Sequence, residues 1–475
     1  DDLASYIALL AADSTLPMEG LARKLPHYHK YSYLGFEGGE PVNIAKGRWP
    51  AVGSPLTHYF AQDAAIGKLP KRAPLATIPP LFSSKRMRES VELLSSPTFE
   101  GRGFGSEGLA RASEYLAGQF KDAGLEPAGD DGFLQEFTES GAEGKKGAIK
   151  NVLGVIKGKD PKLKDEYVVV GAHYDHLGYG WPDVRSGNEG RLHPGADDNA
   201  SGVAVLLELA RYFTEAGSDR SILFAAFGGE EIDRAGSKYM LREGGFAGGK
   251  GIYAMVNVDT VGHLGDGKLL ILGAGSAREW VHIFMGAGFV TGVSVESVSK
   301  DFGSSDQASF NAVGVPAVQL FTGANGDYHS VGDTADKLDY DGMVGVAQVA
   351  KEAVEYLAGR AEQLTVLLEG AGEPKSPTVG HSQVETERRR VSLGTVPDFA
   401  WEGEGVKVAS VSEGSPAEMA GILSGDVIIA LANKPVGDLK SLSEIMKALS
   451  VGEEVSLRWL RGEKEMSAVV RAAAR

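Results

Sequence analysis

From residue 84 onward the chain alternates between two hydrophobic periods. SSKRMRESVELLSS and LARASEYLAGQFKDAG place apolar residues at i, i+3 and i+4, which predicts amphipathic helices. NVLGVIKG and YVVVGAHYDH are short, dense apolar runs that predict strands. SGVAVLLELARYFTEAG returns to the helical period and is ended by Gly217. SILFAAFGG predicts a strand, SKYMLREGG a helix, AMVNVDTVG a strand, VPAVQLF a late strand and MVGVAQVAKEAVEYLAG a closing helix. Short continuous apolar strands between helices point to a buried sheet. The expected class is therefore α/β, with a mostly parallel central sheet flanked by helices over residues 84–368. In such folds the sites lie at the carboxyl ends of strands.

The flanks read differently. Residues 1–83 have no sustained period and are taken as an N-terminal extension, within which KYSYLGFEGGEPVNIAKGRWP has the pattern of a short hairpin. Residues 369–390, EGAGEPKSPTVGHSQVETERRR, are Gly-, Pro- and charge-rich and read as a linker. Residues 391–475 hold several short strands and two helices, a small α+β domain. A linker of this length and composition predicts two loosely tethered modules.

Composition narrows the function. At 475 residues the chain should form two or three domains, and 43% hydrophobic with 24% charged residues is globular. A net charge of −16 argues against a nucleic-acid partner, and no apolar run approaches 18 residues, so no membrane span is expected. There are no cysteines, so any metal must rest on His, Asp and Glu.

Those residues cluster behind the predicted strands. YVVVGAHYDH puts His173 and Asp175 at a strand end, HPGADDNASG puts Asp197 and Asp198 in a loop before a helix, and FAAFGGEE puts Glu230 and Glu231 after the next strand. MVNVDTVG adds Asp259 and GDYHSVGDT adds His329. Carboxylates and imidazoles at successive strand ends converge on one edge of a parallel sheet. A nitrogen and oxygen set without thiolate suits zinc, with cobalt or manganese as substitutes.

Together GAHYDHLG, ADDNASG, GGEE, NVD and YHS, in this order, resemble the di-zinc aminopeptidases typified by bacterial secreted leucine-type enzymes, over roughly residues 85–360. The resemblance implies the zinc exopeptidase fold and two Zn2+ ions. It implies Asp198 as the bridge, His173 and Asp259 on one metal, Glu231 and His329 on the other, and Glu230 as general base. It implies a cis Asp198–Asn199 peptide, and a secreted or periplasmic address. Asp175 is expected to orient His173, and Tyr328 to donate to the oxyanion. The substrates implied are peptides with free N-termini.

Alternatives share the superfold. A carboxypeptidase needs a basic cluster, whereas Arg278 is the lone arginine between Asp259 and His329. A glutaminyl cyclase would favour one zinc, and a non-catalytic peptide-binding scaffold would have lost ligands. GFGSEG at 103–108 satisfies a dinucleotide pattern but follows a helix and loop, which excludes that use. His27 and His29 lack acidic company, and His176, His193 and His263 read as polar neighbours of the motifs.

Near the C-terminus, GVKVASVSEGSPAEMAGILSGDVIIALANKPVGDL resembles a PDZ domain of the bacterial protease-associated kind. Ala417, Ala420 and Gly421 suit a short helical turn, and Gly425–Asp426 a turn into a strand. The loop Leu393, Gly394, Thr395 and Val396 is the candidate carboxylate-binding loop for a peptide or protein ligand, the alternative being a module that docks on the peptidase or oligomerises. Asp398 beside it would repel an anion if it pointed inward.

Overall fold

The computed structural model describes residues 11, 13–28, 31–47, 81–141, 146–184, 187–301, 303–323, 325–368, 391–399, 401, 403–412 and 414–474. The segment 369–390 and the His27 and His29 side chains lie outside the described residues. The chain divides into Asp1–Ile78 and Pro79–Arg475. The first unit contains helix α1 (Met18–Lys24) and an antiparallel hairpin of β1 (Tyr33–Glu37) and β2 (Val42–Gly47), where the sequence has its hairpin pattern.

In the second unit α2 (Ser84–Leu94) and α3 (Glu107–Asp122) come first. Each is started by a serine: Ser83 accepts from the Arg86 amide and Ser106 from the Leu109 amide. Strands β3 (Glu126–Pro127), β4 (Leu134–Ser140), β5 (Lys146–Ile156) and β6 (Tyr167–His173) follow. Next are α4 (Gly202–Ala216), β7 (Ser221–Phe227), α5 (Ala235–Arg242), β8 (Ile252–Val258) and β9 (Leu269–Leu272). The remainder is α6 (Trp280–Thr291), β10 (Val295–Val298), α7 (Gln307–Ala312), β11 (Ala317–Phe321) and α8 (Tyr340–Gly359).

These strands form one nine-stranded sheet of order β10-β9-β11-β8-β6-β7-β5-β3, with β4 on β5. The central strands β11, β8, β6 and β7 run parallel. Towards the edges, β9 pairs antiparallel with β11, and β5 antiparallel with β7, β4 and β3. The sheet is therefore mixed rather than mostly parallel, because apolar runs report burial and not strand direction.

Alternation along the central strands feeds two cores. Val168, Val170, Ile222 and Phe224 join α2, α3, α4 and α8 on one face. Val169, Leu223, Ala225 and Phe227 meet Met240, Leu241 and Phe310 from α5 and α7 on the other. Every residue of β7 is buried, as expected for a strand covered on both sides.

The C-terminal module comprises β12 (Val391–Ser392), β13 (Thr395–Pro397), β14 (Val406–Val411), α9 (Pro416–Met419), β15 (Val427–Leu431) and β16 (Lys434–Pro435). It ends with α10 (Leu439–Lys447), β17 (Glu454–Arg461), β18 (Lys464–Arg471) and β19 (Ala473–Ala474). Its sheet has the order β13-β14-β15-β17-β18. Gly421 and Gly425 take φ of 81° and 90°, as their turns require. Asp398 turns to Lys407, 3.0 Å away. The expectation of loose tethering fails. Phe399 packs edge-on against Phe321 at the end of β11, with ring centroids 5.4 Å apart, and joins Leu270, Leu272 and Val298.

Candidate metal centre

The parallel strands explain why distant motifs meet. His173 is the last residue of β6 and lies opposite Phe227, the last of β7. Glu230 and Glu231 follow β7, Asp259 follows β8, and His329 lies in the loop after β11. All leave the sheet at the same edge.

Five of these side chains converge. His173 Nε2 lies 3.2 Å from Asp198 Oδ1 and 3.4 Å from Asp259 Oδ1. His329 Nε2 lies 3.1 Å from Asp198 Oδ2 and 3.4 Å from Glu231 Oε2. The two oxygens of Asp198 thus face two separate donor sets. Ligands at zinc bond lengths in a tetrahedral shell stand roughly 3.3 Å apart, so these spacings fit an ion in each set. His173, Asp198 and Asp259 are 2–5% exposed. Burying carboxylates together costs several kcal/mol per charge unless a cation compensates, which the donor set invites.

His176 stands closer than its sequence reading suggests. Its Nδ1 is 2.9 Å from Glu231 Oε1 and 3.8 Å from Asp198 Oδ2, so it adds a nitrogen beside the second set. Burial pushes its pKa down to about 3, which keeps the ring neutral. Burial opposes charge on His173 too, but Asp259 and hydrogen bonds to neighbouring carboxylates raise it well above the ordinary value. Burial, reinforced by Glu231, Asp306 and Asp259, raises the Glu230 carboxyl well above its usual range.

Buried groups around the cluster hold it in place. Asp175 accepts from the Glu230 amide at 3.0 Å and from the Glu231 amide at 3.2 Å. His173 Nδ1 meets the Asp175 carbonyl at 3.2 Å, with the carboxylate farther off at 3.7 Å. Asp333 does for the Asp198 loop what Asp175 does for the glutamates, accepting from the Asp197 and Asp198 amides at 2.8 and 3.0 Å. The Asp198–Asn199 peptide is cis. The Asn199 side chain accepts from the Gly202 and Thr260 amides, and donates to the Val258 carbonyl. That ties the bridge loop to the end of β8. Gln319 Nε2 donates to Asp259 at 3.3 Å, and Asp183 pairs with His329 Nδ1 at 2.8 Å. Arg102 is fully buried and donates to the carbonyls of Leu94, Tyr174, Pro194 and Gly195, which fixes the loop entering Asp198.

Asp183, Asp333, Gln319 and Arg102 escaped the sequence reading. Asp333 was within reach, four residues beyond His329 in GDYHSVGDT; the others carry no strand-end signal. Asp197, by contrast, turns away to His263, Asn325 and the Gly262 amide. Tyr328 stacks on His329 with centroids 4.0 Å apart and remains 38% exposed. It lines a cavity of about 970 Å³ that also touches Asp259 and His329. The same cavity is lined by Gly394, Thr395 and Val396, while Leu393 is buried in the module's own core.

Known proteins resemble this chain in part. Residues 151–354 match the family model described as Peptidase family M28, and residues 378–471 one described as PDZ domain. Over 316 residues the sequence is 26% identical to a protein of Trichophyton verrucosum named "Probable leucine aminopeptidase", covering 62% of this chain and 79% of that one. Over 261 residues it is 28% identical to "Leupeptin-inactivating enzyme 1" of Streptomyces exfoliatus, covering 54% and 52%. This chain thus spans about half the length of the second relative. The glutaminyl cyclase of Fimbriiglobus ruber superposes with a TM-score of 0.50 at 21% identity, over 59% of this chain and 97% of that one, a likeness of fold.

Proposed function

This chain belongs to peptidase family M28 and carries a PDZ domain, and on that premise we propose that it is a zinc aminopeptidase with two metal ions. The observation that carries the reading is the pair of donor sets sharing Asp198. In this reading Asp198 would be shared between the ions, His173 and Asp259 would hold one, and Glu231 and His329 would hold the other, with Co2+ or Mn2+ as substitutes. When bound, such ions would supply a water of lowered pKa and polarisation of the scissile carbonyl.

The chain's own groups do the rest. Glu230, whose backbone Asp175 anchors, takes the proton of the attacking water and delivers it to the leaving amine. Tyr328 donates its O–H to the oxygen that gains charge. The acidic edge, with Asp183 and Asp259 on the cavity wall, attracts the substrate's N-terminal ammonium. His176, neutral and packed against Glu231, holds that ligand's second oxygen.

Hydrolysis of a short peptide and its N-acetylated form tests the direction of attack. Acetylation should abolish cleavage, while amidation of the C-terminus should leave kcat intact. The opposite pattern would make the enzyme a carboxypeptidase.

A further inference from the structure

The PDZ module presents its groove to the metal site. β13 is the terminal strand of its sheet, paired with β14 on one side. The cavity of about 970 Å³ extends from Asp259, Tyr328 and His329 to β13 and to Leu442 and Met446 of α10. That volume is at the upper end for small-molecule sites, room for several residues of a peptide.

Direction and charge agree. β13 runs from Thr395 toward Phe399, and Phe399 packs on Phe321, just before the loop that carries Tyr328 and His329. A peptide added antiparallel to β13, with its C-terminus at the Gly394 loop, therefore has its N-terminus heading for the metal site. The acids lining the cavity, Asp183 and Asp259, belong to the peptidase end; of the two lysines on α10, Lys440 stands in the first turn beside Asp438, which feels Lys300 of the peptidase, and Lys447 stands at the other end. Asp398, held by Lys407, is not part of the wall. A short peptide has the same polarity, an ammonium at one end and a carboxylate at the other.

We propose that the PDZ groove is the far end of the substrate cleft. Short peptides lie with the N-terminal residue at the metal centre and the C-terminal residues along β13, the carboxylate toward Lys447 at the end of α10. This inference rests on the aminopeptidase reading. It makes the natural substrates short oligopeptides with free C-termini, such as an endopeptidase releases.

The test uses the full-length holoenzyme and a series Leu-(Ala)n, as free acids and as C-terminal amides. At the length that spans the cleft, amidation should raise KM about three- to tenfold with kcat unchanged, as loss of exposed ion pairs allows. The variant Lys447→Gln should erase the difference between acid and amide without weakening the amide. Calorimetric titration of a Glu230→Gln variant should show the acid binding tighter than the amide by the same factor. Equal KM for acid and amide at every length, or a Lys447→Gln variant that weakens both forms alike, would overturn the proposal. Failure of the wild type to cleave leucyl p-nitroanilide would count against the aminopeptidase reading itself, and is read separately.

Discussion

At the scale of single residues, the site divides into groups that meet each other directly and groups that hold them. Glu230 and Glu231 are neighbours in sequence, yet only Glu231 sits within 3.4 Å of His329. Glu230→Gln should therefore keep both metals and lower kcat by roughly 10²–10⁴-fold, measured by elemental analysis and initial rates. Loss of metal instead would exchange the roles of the two glutamates. The five candidate ligands were legible because each lies in a short polar motif, His173, Glu231 and Asp259 at or just after a strand, and Asp198 and His329 in loops. Asp183 and Gln319 were not, because they act on His329 and Asp259 through folded contacts, the first across 146 positions. His176 was underestimated for a similar reason: sequence places it three residues past His173, but only the fold turns its ring onto Glu231.

At the scale of elements, helical periods located α2, α3, α4 and α8, and apolar density located β6, β7, β8 and β11. The antiparallel flank was hidden because an apolar run looks the same in either direction. β5 runs eleven residues and receives β3 and β4 on one side and β7 on the other. One polar contact between helices has a pH signature. Glu208, buried on α4, receives two bonds of 2.7 Å from Arg86 of α2 and one from the Ser83 amide. Burial works against its charge, but these bonds win and lower its pKa below the ordinary 4.5. A depressed carboxyl stabilises the fold above its unfolded pKa, and that contribution disappears as pH falls through the folded value. Glu208→Gln should thus cost about 1 kcal/mol at neutral pH, a modest figure because Arg86 is half exposed. In thermal unfolding the gap from wild type should close as pH falls below the ordinary value of 4.5. A gap independent of pH would mean that packing, and not charge, is what Glu208 contributes.

At the scale of the whole molecule, the two modules were legible and docking was one alternative for the second, but the surfaces that meet were not legible. Linker composition reports reach, whereas docking depends on which apolar residues meet, and Phe399 has no periodic partner to mark it. Because the candidate metal ligands all lie in the peptidase module, removal of residues 391–475 should leave kcat for leucyl p-nitroanilide within a few-fold. It should raise KM for longer peptides and uncover the patch around Phe321. A collapse of anilide turnover with metals still bound would mean that the PDZ module forms part of the catalytic wall. The central claim, however, is that Asp198 divides its oxygens between two ions. Elemental analysis of the dialysed, active protein tests it most directly: the account predicts nearly two zinc equivalents per chain, and a ratio near one would contradict it.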